Sequence, residues 1–253
     1  VCLKGVYGMN HLHRFHYIVK HPSLVWTQPK RLFMLSHMRS RSSLLSHILG
    51  SNEAIAGYSE LSIRYKNTGS LLDQKIALHQ DGLEINSNTI LFDKVLHNSY
   101  DFKKAELLNK DEFKVIVMVR PPEATVKSIV TMGRKQGNAK YGNIDWACDY
   151  YIGRLDKLVR ISQHLDDYIF VNSDDIVNCP DETLTRLTNS LNLKTPLSTE
   201  YSSFNKTGMK KSGDTSDNIK KGKIVLTREN NDITISESLL KNLNNCYESS
   251  FRK

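Results

Sequence analysis

Nothing in the 253 residues runs apolar for the roughly eighteen positions that a membrane-crossing helix needs. The opening residues also lack the apolar core of a signal peptide. Cysteine is scarce and scattered, at Cys2, Cys148, Cys179 and Cys246. No CxxC or Cys/His ligand spacing occurs, which excludes a zinc site built on those thiols. Lone thiols suit a reducing compartment, so a cytoplasmic location is the expectation. No glycine falls between Arg31 and Leu49, and the phosphate-loop pattern GxxxxGK[ST] is absent throughout. Acidic residues run short, 27 Asp and Glu against 35 Lys and Arg, leaving a net charge of +8. That surplus fits nucleic acid, an anionic surface or a polyanionic small ligand. There is no internal repeat.

What is present suits one α/β domain over residues 1–253, with an N-terminal extension at 1–29 and a basic segment at 201–228. The extension carries His11, His13 and His16 with no acidic partner nearby, so no metal site is expected there. Phe15, Tyr17 and Trp26 are expected to pack it down. The organising stretch is RLFMLSHMRSRSSLLSHIL, residues 31–49. Leu32, Phe33, Met34 and Leu35 read as a buried strand, and Leu44, Leu45, Ile48 and Leu49 repeat at helical spacing. Between them lies a hydroxyl-rich loop, 36–43, with two arginines. A strand feeding such a loop into a helix N-terminus makes an anion cradle, because first-turn N–H groups and the helix dipole face whatever sits there. The plainer reading is a βα turn whose serines cap the helix.

Further along, 53–58 reads as a short second strand ending at Ser59 and Glu60, 71–83 as a helix, and 89–92 as a short strand running into Asp93 and Lys94. KVIVMV, 114–119, is the clearest buried strand, nearly continuous and β-branched as central parallel strands are. Arg120 closes it, and Pro121, Pro122 and Glu123 start a helix through Met132. A long helix follows over 145–165, then a strand at 168–171, a helix opened by Cys179 and Pro180, the polar stretch 201–228, and a closing amphipathic helix at 236–251. Strands alternating with helices predict a three-layer α/β fold, a mostly parallel sheet covered on both faces.

In such a sheet ligands collect at the carboxyl ends of the strands. The 36–43 loop, Glu60 and Arg120 all fall there. One anion site at Arg39, Ser42 and Ser43 and another at Arg120 and Ser128, eight residues apart, suggest a ligand bearing two phosphate groups. An arginine where a magnesium-binding Asp would close the central strand argues against a kinase or ATPase.

Here the pattern resembles the sulfotransferases that use 3′-phosphoadenosine 5′-phosphosulfate (PAPS). MRSRSSLL is similar to their 5′-phosphosulfate loop, commonly PRSGTTLL. VIVMVRPPEATVKSI is similar to their 3′-phosphate motif, in which an Arg and a Ser eight residues later hold that phosphate. IFVNSDDIVNCPDETLTRLTNSLNL resembles their VRYEDLxxDPExTLxxLxxFLGL segment. LFDKVLHN resembles a DKxLxN segment of the bacterial, carbohydrate and protein-tyrosine branches, to which the chain is closer than to the cytosolic branch. Lys211, Ser212, Gly213 and Asp214, with IKKGKI, resemble the lid that closes over the nucleotide. The likeness runs from about Lys30 to Leu226 with the motifs in order. It implies a P-loop-like sulfotransferase fold and binding of PAPS, released as 3′,5′-bisphosphoadenosine, by Arg39, Ser40, Arg41, Ser42, Ser43, Leu44, Arg120, Ser128, Lys211, Ser212 and Gly213, without a metal. The chain departs from the pattern at Arg41, where the family has glycine, and at Ser173 and Asp174, which replace an aromatic and a glutamate.

Sulfuryl transfer resembles phosphoryl transfer, in line and driven by positioning and charge stabilisation. The resemblance implies Arg39 at the leaving oxygen, Lys94 on the sulfuryl group, and Glu60 as the base that takes the acceptor's proton. His97 is the second candidate base, by analogy with the cytosolic branch. Against these stand plainer roles: Glu60 as a first-turn carboxylate, His97 as a hydrogen-bonded structural residue, Ser128 as a helix serine, and the lysine-rich segment as a solvated surface. The acceptor and the oligomeric state are not legible. Two other readings remain open at this level, a metal-dependent small-molecule kinase and a nucleic-acid-binding domain built on the basic segment; no aromatic interleaving or recognition motif supports the latter, and no nucleic-acid or membrane partner is expected.

Overall fold

The computed structural model describes residues 11–208, 218–226 and 232–250. In chain order these form α1 (His11–Lys20), α2 (Ser23–Trp26), β1 (Lys30–Leu35), α3 (Ser42–Gly50), β2 (Ile55–Ala56), α4 (Gly69–Gln80), β3 (Ile90–Val95), β4 (Phe113–Val119), α5 (Pro122–Lys135), α6 (Ile144–Ser162), β5 (Ile169–Asn172), α7 (Asp175–Asn178), α8 (Pro180–Ser190) and α9 (Glu237–Ser250), with short 3₁₀ turns between some of them. The strands pair in parallel in the order β2-β3-β1-β4-β5. From β1 the chain runs to the edge at β2, returns through β3 beside β1, and then crosses to β4 and β5 on the other side. The carboxyl end of β1 is a topological switch point, where open parallel sheets hold their ligands.

Both faces of the sheet are covered, as near-continuous apolar strands require. The side chains of β1 alternate across it. Leu32 and Met34 join Leu45, Ile48, Leu184 and Leu187 of α3 and α8 on one face. Phe33 and Leu35 join Val126, Ile129, Leu155, Leu158 and Leu243 of α5, α6 and α9 on the other. The helices start where local chemistry dictates. Pro122 enters α5 in its first turn, with Glu123 there and Arg134 and Lys135 in its last turn, matching the helix dipole. The Asn143 side chain caps α6 by accepting from the Trp146 N–H at 2.7 Å, an interaction of about 1 kcal/mol.

Several boundaries differ from expectation. The second strand keeps only Ile55 and Ala56. Gly57 ends it at φ 112°, a conformation that side chains rarely adopt, and a Cβ there would lie 2.7 Å from the Phe92 carbonyl oxygen. Glu60 therefore sits in the loop beyond β2 rather than at a strand end. The third strand runs on through Asp93 and Lys94 to Val95, because both polar side chains find partners inside. The expected helix 71–83 forms two residues earlier and stops at Gln80. Phe15 and Trp26 do not pack, being 70% and 81% exposed. Only Tyr17 turns inward, its hydroxyl 2.7 Å from His79 Nδ1, and Arg14 fastens α1 to Asp73 of α4 at 2.8 Å. Among the described residues no helix is long and apolar enough to cross a membrane, and no group of three or more His, Cys, Asp or Glu could hold a metal ion.

Candidate active site

The loop after β1 is held from below. Ser36 Oγ donates to the Met118 carbonyl at 2.6 Å, and Ser40 Oγ donates to the His37 carbonyl at 2.8 Å. Ser40 is fully buried, so its hydroxyl serves the loop's own shape. His37 bridges to the next strand. Its Nε2 accepts from the Arg120 N–H at 3.0 Å, which puts the proton on Nδ1, donated to the Met38 carbonyl at 2.9 Å. Burial pushes the His37 pKa down to about 4, helped by the nearby charges of Arg154 and Arg120. The ring is thus neutral, which suits a seat between arginines.

Arg39 and Arg41 both adopt positive φ, 60° and 62°. Each such residue costs roughly 1–2 kcal/mol in an L-amino acid, and strain of this kind concentrates at binding loops. Arg41 is the N-cap of α3 and has no acceptor to offer the helix's first turn, an arrangement that suits an incoming anion. The conformation explains why glycine is at home at this position. It also assigns the Arg41 side chain, which pairs with Asp174 just beyond β5.

Three strand ends converge on these arginines. Arg39 Nε donates to Ser128 Oγ of α5 at 2.9 Å. Arg120 Nη1 donates to the Arg39 carbonyl at 3.3 Å, and Arg120 Nε lies 3.6 Å from Asp174. The residues expected from sequence to form two anion sites thus lie in one cluster, joined through Arg39. Ser42 is buried, and Ser43 and Leu44 are half-buried on the first turn of α3. Lys94, nearly fully buried at 1% exposure, donates to Ser43 Oγ at 3.2 Å and so ties β3 to the same turn.

The candidate bases lie on the β3 side. The Glu60 carboxylate accepts from the Leu96 backbone N–H, and burial raises its pKa against the opposing charges of Lys94 and Arg154. Its other oxygen, Oε1, is buried with no hydrogen-bond partner. An orphaned carboxylate oxygen with a raised pKa is what a general base needs. His97 follows two residues beyond β3, half-buried, its pKa lowered by burial and by Arg154. Lys211, Ser212 and Gly213 lie outside the described residues. The flank of their segment is docked: Tyr58 and Phe204 stack at 4.0 Å, His47 Nε2 meets Thr207 Oγ1 at 2.9 Å, and Lys206 pairs with Asp81 at 2.5 Å.

Sequence reasoning missed three supports. Arg154, 1% exposed, donates to the Ser36 carbonyl at 2.8 Å and the Val95 carbonyl at 3.0 Å, clamping the ends of β1 and β3, and pairs with Asp101. Asp93 accepts from Tyr65 Oη at 2.6 Å and from the Leu61 N–H at 2.9 Å, which fixes the segment carrying Glu60. Asp174 is the third. A charged residue within an apolar helical stripe was the available signal for Arg154; nothing local marks the partners.

Compared with solved structures, the chain superposes on the sulfotransferase domain of the Synechococcus olefin synthase with a TM-score of 0.63, at 18% identity over 90% of this chain and 96% of that one. The chain has the sulfotransferase fold. A sulfotransferase from Mycobacterium tuberculosis matches at TM-score 0.52 and 12% identity, over 72% of each chain. One from Alicyclobacillus acidocaldarius matches at 0.51 and 11%, over 88% of this chain and 93% of that one. No protein-family model and no curated protein sequence matches. The five-stranded parallel sheet and its two helical layers are those of this fold.

Proposed function

We propose that the protein is a sulfotransferase that takes its sulfuryl group from PAPS and passes it to a hydroxyl or amine acceptor, without a metal. The observation that carries this reading is the single seat in which Arg39, Arg120 and Ser128 meet at the carboxyl ends of β1 and β4. A bisphosphate spanning that seat would meet guanidinium groups, a hydroxyl and a helix N-terminus, each a strong donor to phosphate.

The donor supplies an activated S–O bond whose leaving group is the bisphosphate nucleotide. Arg120 and Ser128 hold the 3′-phosphate, and Arg41, Ser42, Ser43 and Leu44 line the turn that receives the 5′ end. Arg39 and Lys94 face the charge that grows as the bond breaks, a preorganised cation pair in a dry site. Glu60 takes the acceptor's proton on its unpartnered oxygen. Ser40 contributes through the loop it shapes. Lys211, Ser212 and Gly213 complete the lid in this reading, and His97 stays near the acceptor rather than at the proton. Calorimetric titration with 3′,5′-bisphosphoadenosine and with ATP, in chelator, tests the donor site. Metal-free binding of the bisphosphate well above that of ATP is the expected result. No heat at ligand concentrations of about 10–100 μM, where such sites saturate, would overturn the reading.

A further inference from the structure

The large apolar side chains left in water gather at one place. Among the described residues, five of the six exposed ones, Leu12, Phe15, Val19, Val25 and Trp26, belong to α1 and α2, and Leu226 is the sixth. At about 100° per residue, Leu12, Phe15 and Val19 fall within about 60° of arc, a stripe along α1. The body of the protein meets the other side of this helix. Arg14 pairs with Asp73 at 2.8 Å, Tyr17 Oη lies 2.7 Å from His79 Nδ1, and His13 meets Gln80 at 3.2 Å. Polar contacts thus hold α1 to α4 while its apolar stripe faces outward. Trp26, 81% exposed, follows on α2 after the turn at His21 and Pro22.

The charge around this stripe has one sign. No Asp or Glu occurs before Glu53. Lys20 ends α1 and Lys30 opens β1, both exposed, and His11 and His16 border the stripe. Asp73, the carboxylate that α1 meets, is 3% exposed and paired with Arg14. A contiguous exposed apolar patch marks an interaction surface. A second copy laid on it would set basic face against basic face, with no carboxylate to answer it. An anionic lipid surface answers both halves. Its headgroups face the lysines, and its acyl boundary takes up leucine, phenylalanine and indole, the last a side chain at home there. The lack of a spanning segment predicts no membrane partner, and α1 is indeed too short to span, about 15 Å against about 30 Å of bilayer core. It is suited to lie in the interface instead.

We propose that α1 and α2 form a docking face for an anionic membrane surface, with Leu12, Phe15, Val19 and Trp26 in the acyl boundary and Lys20 and Lys30 at the headgroups. The attachment is peripheral and salt-sensitive, because the surface attraction fades within a Debye length. It is independent of the sulfotransfer reading, since none of these residues belongs to the site at Arg39, Arg120 and Glu60.

Flotation of the full chain with lipid vesicles tests the face. In low salt the wild type should float with phosphatidylcholine and phosphatidylserine mixed at about 7:3, stay down with phosphatidylcholine alone, and be released at about 0.5 M salt. Lys20→Glu should weaken binding about fivefold or more. The triple variant Leu12→Ser, Phe15→Ser, Trp26→Ser should weaken it at least about tenfold. All three side chains are exposed, so the variant's thermal midpoint should match that of the wild type and show that it is folded. No flotation with the mixed vesicles, equal flotation with both kinds, or binding that survives the triple substitution overturns the proposal. A wild type that is dimeric by light scattering, becomes monomeric in the triple variant and is absent from floated vesicles puts a second copy on the face and overturns it as well. Bisphosphate binding reports on the Arg39 site alone, so the two readings fail separately.

Discussion

Replacing Asp93 by asparagine tests how the segment carrying Glu60 is held. Asp93 is buried on β3, and its carboxylate accepts from Tyr65 and from the Leu61 N–H. Burial pushes its pKa up to about 7 from an ordinary 3.8. Between those values the folded chain keeps a proton that the unfolded chain has lost. Stability contributed by Asp93 is therefore full below about pH 4 and is lost as pH rises toward 7, by up to about 1.4 kcal/mol per pH unit. His37 acts in the opposite sense. Its folded pKa of about 4 lies below the ordinary 6.5, so its contribution is full above 6.5 and is lost as pH falls toward 4. The two slopes oppose each other in the wild type. The substituted amide keeps hydrogen-bonding groups in place and removes the titration, so Asp93→Asn should gain on the wild type steadily from about pH 4 to 7 and then level off. Urea unfolding of both proteins at about pH 4.5, 5.5, 6.5 and 7.5 measures the difference directly, and other titrating groups cancel. A difference independent of pH, or one that shrinks as pH rises, would refute a protonated Asp93 beneath the Glu60 segment.

Glu60→Gln should lower turnover by about 10²–10⁴ while leaving bisphosphate affinity intact. Because burial raises the Glu60 pKa, the wild-type rate should climb with pH through a value above the ordinary carboxylate range, and the variant should lose that acid limb; near-normal turnover would place the base elsewhere. Arg41→Gly relieves about 1 kcal/mol of backbone strain and loses an ion pair whose partners are only 17% and 24% exposed, worth up to about 1 kcal/mol, so its unfolding free energy should stay within about 1 kcal/mol of wild type. Asp174→Ala, which leaves two arginines facing each other, should cost about 1–2 kcal/mol; a larger loss in Arg41→Gly than in Asp174→Ala would contradict this account of the loop. Arg154→Leu strands Asp101 and three further acceptors and should cost about 3–5 kcal/mol by urea unfolding.

The layers of this fold were legible because its strands are local, apolar and β-branched, as KVIVMV is, and because Pro122 and Asn143 mark helix starts. The pairing of Arg120 with Ser128 was legible because their eight-residue spacing is a local property of a strand end and the helix that follows; that Arg39 meets both, across 81 and 89 positions, was not. What the sequence hid was long-range. His37 touches Arg120 across 83 positions, and Arg154 reaches Ser36 across 118. Such contacts depend on strand order, which no local pattern carries. Arg41 looked anomalous for the same reason: its positive φ is local, but the Asp174 that receives its side chain arrives from β5. The expected packing of Phe15 and Trp26 failed because aromatic content alone does not say which side of a helix meets the body.

The central claim is that Arg120 belongs to a 3′-phosphate site joined to the loop through Arg39. Its most direct test compares the affinities of 3′,5′-bisphosphoadenosine and 5′-AMP, which lacks the 3′-phosphate, for the wild type and Arg120→Ala, measured by calorimetry in chelator. The wild type should prefer the bisphosphate by at least about tenfold, since charge-assisted bonds to phosphate are worth roughly 1.5–3 kcal/mol. Arg120→Ala should bind the two nucleotides nearly equally, with 5′-AMP affinity little changed. A preference for the bisphosphate that survives in Arg120→Ala, or no preference in the wild type, would contradict it.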